Sequence, residues 1–128
     1  MNEQFTICIK LPVRVLSPNY RPMSRGGRFG VAAAAKSQKL KTIEAIEQAG
    51  VETLPWDKCE VCIDMYHKVG RRRDTDNAIG ALKSMYDGIV IAGVVPDDTP
   101  MFMTRPEPRM LVDKEAPRVE ITIRRLEE

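Results

Sequence analysis

The chain has 128 residues, 43% of them hydrophobic and 30% charged, with a formal net charge of +2. That length bounds one domain with a real core, and that composition excludes an intrinsically disordered chain. Affinity for an anionic polymer then has to come from local clusters of Lys and Arg, not from whole-molecule charge. Three cysteines exclude a stapled disulfide framework. No apolar run approaches the roughly 20 residues that span a bilayer, so no membrane partner is expected. Met1-Asn2-Glu3-Gln4 lacks the basic-then-apolar pattern of a secretory signal, so a reducing cytoplasm is the expected setting.

Phe5-Thr6-Ile7-Cys8-Ile9-Lys10-Leu11 alternates with apolar residues at odd positions, the period of a half-buried strand, and Pro12 ends it. Val13 to Gly30 has no period and is rich in Pro, Gly, Ser and Arg. It predicts a long basic loop carrying Arg21, Arg25 and Arg28, of the kind that becomes ordered on a nucleic acid. Val31 to Ala49 predicts a helix: an alanine run, then Leu40, Ile43 and Ile46 at helical spacing, stopped by Gly50. Its lysines read first as a solvated outer face.

Lys58 to His67 alternates again, with Cys59, Val61, Ile63 and Met65 on one side, and predicts a second strand. Ala78 to Val90 predicts a second helix, with Ile79, Leu82, Tyr86, Ile89 and Val90 on its packed face and Gly93 as its stop. Val94-Val95-Pro96-Asp97-Asp98 reads as a turn. Met101 to Val112 predicts an edge strand interrupted by Pro106 and Pro108, and Arg118 to Leu126 a final strand. The order is β-α-β-α-β-β. It predicts a single α+β domain over 1–128, a small mixed sheet with two helices packed on one face.

The chemistry concentrates in Arg71-Arg72-Arg73-Asp74-Thr75-Asp76-Asn77. Two carboxylates near the first turn of a helix, joined by a third from elsewhere, suit a hard cation such as Mg²⁺, which takes oxygen ligands. Guanidinium groups beside them suit a phosphate backbone, which they bind in a bidentate manner. Helix capping accounts for one of these aspartates. It does not account for two, for Asn77, or for the arginines. Two carboxylates a few ångströms apart repel by about 1 kcal/mol in water, which a cation between them relieves.

Asp97-Asp98 supplies the third carboxylate, and spacing leaves open which of the two points inward. The second helix carries the chain roughly 20 Å from Asp76. A shared site within one chain therefore needs the segment after Gly93 to double back, which about six extended residues can do. Lys83 lies on the helical face of Asp76, Gly80 and Asp87. Its ammonium is placed either to neutralise a scissile phosphate or to pair with Asp87 at i, i+4. Gly80 costs a helix close to ~1 kcal/mol against Ala, which suggests a close backbone approach. Cys59 and Cys62, three apart on a strand, face opposite sides, so the pair with His67 does not read as a zinc site. His67 reads as a strand-end residue.

The block Arg71-Arg72-Arg73-Asp74-Thr75-Asp76-Asn77, then Lys83-x-x-x-Asp87, then Gly93-Val94-Val95-Pro96-Asp97-Asp98, resembles the RusA family of Holliday-junction resolvases, small phage and prophage-type endodeoxyribonucleases. The strand ending Leu11-Pro12, the Ser17-Pro18-Asn19 segment and the alanine-rich helix follow in the family's order. The resemblance implies a homodimer that binds four-way DNA junctions and nicks two strands symmetrically with Mg²⁺. The family's metal-binding aspartates fall on Asp74, Asp76 and Asp98, and its catalytic lysine on Lys83, one helical turn further along than the family pattern places it. Arg71, Arg72, Arg73, Arg21, Arg25 and Arg28 become the DNA contacts. Competing expectations are a less selective metal nuclease acting on branched DNA, a catalytically silent junction-binding protein whose aspartates cap a helix, and a small protein-interaction domain.

Overall fold

The structure is a computed structural model that describes residues 3–11, 25–68 and 73–126. Its elements are β1 (Gln4–Ile9), α1 (Arg25–Ala49), β2 (Cys59–His67), α2 (Arg73–Ile91), β3 (Met103–Thr104), β4 (Arg109–Val112) and β5 (Arg118–Arg125). β5 lies between β1 and β2 and is antiparallel to both. β3 and β4 follow one another along the outer edge of β2, parallel to it, so the sheet is mixed. The expected edge strand over Met101 to Val112 exists as these two pieces. Pro106 and Pro108 lie between them, where a residue without an N–H cannot continue a ladder.

Strand alternation builds the core directly. The register aligns Phe5, Ile123 and Val61 in one row, Ile7, Ile121 and Ile63 in the next, and Ile9, Val119 and Met65 in the third. All but Phe5 are buried, and they form one apolar face against Ile46 of α1 and Met85, Tyr86 and Ile89 of α2. The opposite face is polar and laced with ion pairs. Arg109 grips Asp64 through Nε (2.7 Å) and Nη2 (2.8 Å), and Arg124 Nη2 donates to Glu60 Oε1 at 3.0 Å. A sheet covered on one side and solvated on the other gives this alternation.

β1 and β2 run the same way, and each is followed by a helix that carries the chain back. The two helices are therefore roughly parallel, and both begin at the end of the sheet where β1 and β2 finish. They approach closely at Gly88, where an added Cβ would lie 2.9 Å from Cβ of Thr42 and 3.0 Å from the Lys39 carbonyl oxygen. Both helices stop as the sequence predicts, on left-handed glycines: Gly50 at φ 63° and Gly93 at φ 89°.

Three expectations are corrected. α1 begins at Arg25, so Arg25 and Arg28 are helical, while the rest of the expected loop, Arg21 included, lies outside the described residues. Once the alanine-rich segment forms, adding a residue at its N-terminal end needs no new nucleus, and Gly26, Gly27 and Gly30 do not stop it. α2 begins at Arg73 rather than near Ala78. On α1, Leu40 is 46% exposed, and the buried stripe runs through Gln38, Thr42 and Ile46. The smaller Thr42 occupies the contact with Gly88, where a leucine would hold the helices apart.

Candidate metal and nucleic-acid site

β2 delivers the chain to the arginine run. Its last residue is tied down: the Asp113 amide donates to the His67 carbonyl at 2.8 Å. Arg71 and Arg72 lie outside the described residues, and α2 then opens with Arg73, Asp74, Thr75 and Asp76 in its first turn. Positions two apart in a helix lie about 200° apart round the axis. They therefore lie on opposite sides of the helix, at the end where unpaired N–H groups and the positive end of the dipole act. α1 begins at the same end of the sheet, so the helix that carries Arg25 and Arg28 starts at the end where the helix that carries Asp74 and Asp76 starts.

The acidic turn does not join them within one chain. α2 runs unbroken to Ile91, about 25 Å beyond Asp74 at 1.5 Å per residue. The segment after it does not double back. The Val94 amide donates to the Ile89 carbonyl at 3.3 Å, the Trp56 amide donates to the Val94 carbonyl at 2.7 Å, and the Cys59 amide donates to the Phe102 carbonyl at 2.9 Å. These bonds hold the turn beside the start of β2, at the end of the molecule opposite the first turn of α2. Within the turn, Asp97 Oδ1 accepts from the Asp98 amide at 2.9 Å, so Asp97 is engaged locally, whereas Asp98 is half-buried. Among the described residues no three His, Cys, Asp or Glu side chains converge as a metal site would require.

Lys83 lies midway along α2 with its side chain 82% exposed, and Nζ is 3.8 Å from Asp87 Oδ2. This is the i, i+4 pair that the spacing allows. The surroundings of Gly80, where the sequence suggests a close approach, lie outside what the structure describes; a close approach is found at Gly88. Cys59 is sealed in the core while Cys62 sits on the open face, where its Sγ lies 3.5 Å from Glu60 Oε1. Burial pushes the Cys59 thiol up to about 12.

No family model matches the chain, and no curated protein matches it.

One residue gains significance from the structure alone. His67 Nε2 is shut off from solvent and has no hydrogen-bond partner among the described residues. Its strand position places it on the helix-covered face, one step beyond Met65, at the end where both helices begin. Only tertiary packing encloses that nitrogen, so no sequence signal announces it.

Proposed function

We propose that the chain is a Mg²⁺-dependent endodeoxyribonuclease that resolves four-way DNA junctions as a homodimer, as its resemblance to the RusA family implies. The observation that supports this reading is the common starting end of α1 and α2, the helices whose first turns carry Arg25 and Arg28 and Asp74 and Asp76. The donor set fits the cation: aspartates alone offer hard oxygen ligands. Asp74 and Asp76 of one copy and Asp98 of a second copy would hold it. A two-fold axis across α2 brings the far end of one helix to the near end of the other, and a symmetric dimer then carries two such sites, as a two-fold junction requires. Ile91 (59% exposed) and Met101 (74% exposed) flank the acidic turn, and exposed apolar side chains at that place are what a second copy would cover.

When bound, Mg²⁺ supplies Lewis acidity toward the scissile phosphate and the attacking water. The chain's own residues do the rest. Arg71, Arg72, Arg73, Arg25, Arg28 and Arg21 grip the backbone and fix its position. Lys83, whose Asp87 partner is long and solvent-screened, is free to turn toward charge developing on the leaving group.

The separation of Asp98 from Asp74 and Asp76 favours a second reading if the chain acts as a monomer: a silent junction binder whose aspartates cap α2. One assay decides between them. A synthetic four-way junction, a fork and a linear duplex are incubated with the protein in Mg²⁺ or in EDTA. Paired cuts in the junction with Mg²⁺ alone support the resolvase, cuts in the fork as well indicate a broader branched-DNA nuclease, and binding without cutting in either buffer indicates the silent binder.

A further inference from the structure

We draw no further inference here: the strongest candidate, the open groove between β1 and α1 lined by Cys8, Lys10, Lys41, Glu44 and Gln48, carries nothing, because nothing in the structure shows what covers it.

Discussion

At its C-terminal end α2 is pinned from several sides. Gly93 turns the chain, Val94 and Val95 are buried, and the Val94 carbonyl accepts from the Trp56 amide. Trp56 itself is 2% exposed, and its Nε1–H donates to Thr53 Oγ1, which in turn donates to Glu3 Oε2. At its N-terminal end the same helix opens with Asp74 and Asp76 directly after a run of arginines. One end is filled with large apolar groups and backbone hydrogen bonds. The other sets two aspartates two residues apart beside a run of arginines, of which helix capping accounts for one carboxylate and not both. That contrast separates residues that hold the molecule together from residues that are kept despite a repulsion, and the latter are where function is sought. Asp98 belongs by position to the pinned end, and in the proposed homodimer a second copy would bring it to the other.

Substitutions at the two ends should fail in opposite ways. Asp76→Asn should lower junction cleavage by about 10³-fold, roughly 4 kcal/mol of barrier. Its melting temperature should hold or rise, because one of two neighbouring like charges is gone. Gel assays of cutting beside thermal melts read both quantities, and normal cleavage by this variant would remove Asp76 from the site. Trp56→Ala should do the reverse, lowering stability by about 3–5 kcal/mol through the cavity it leaves. Urea titration measures that loss. An unchanged midpoint would show that the pinned end contributes little.

A smaller effect is expected between the helices. Gly88→Ala forces a methyl against Thr42 Cβ and the Lys39 carbonyl, neither of which is the end of a flexible side chain. The helices must part slightly, at about 1–3 kcal/mol, and a midpoint equal to that of the unaltered protein would contradict the packing described. The smallest effect is a pH dependence. Burial raises the Cys59 thiol from 9.0 to about 12, so the folded chain keeps a proton that the unfolded chain releases. That contribution is whole below pH 9.0 and is lost as pH rises toward about 12. Unfolding curves across this range should flatten with pH in Cys59→Ala relative to the unaltered chain.

Much of the fold is legible in the sequence because period-two strands announce themselves. The alternations of Cys59 to Met65 and Val119 to Ile123 locate β2 and β5, and Gly50 and Gly93 mark both helix ends through a backbone conformation that few other residues accept. The helix starts were less legible. Gly26, Gly27 and Gly30 read as loop, yet α1 contains them, and Arg73 to Asn77 read as approach, yet α2 contains it. Local chemistry signals where a helix is allowed to begin, while cooperative extension decides how far it goes. The carboxylate pair was legible as residues that repel. The distance to Asp98 was legible only in part: helix length set the separation, but the hydrogen bonds from Trp56 and Cys59 that hold the turn at the far end are tertiary. The enclosed nitrogen of His67 was not legible at all.

The central claim is that Asp98 of one copy completes the site begun by Asp74 and Asp76 of another. Coexpressing Asp76→Asn with Asp98→Asn tests it most directly. Each variant alone should be inactive, and a mixed dimer should hold one intact site, restoring single-strand nicking of a four-way junction without paired resolution. A mixture as inactive as its two components, or normal cleavage by Asp98→Asn alone, would contradict the account.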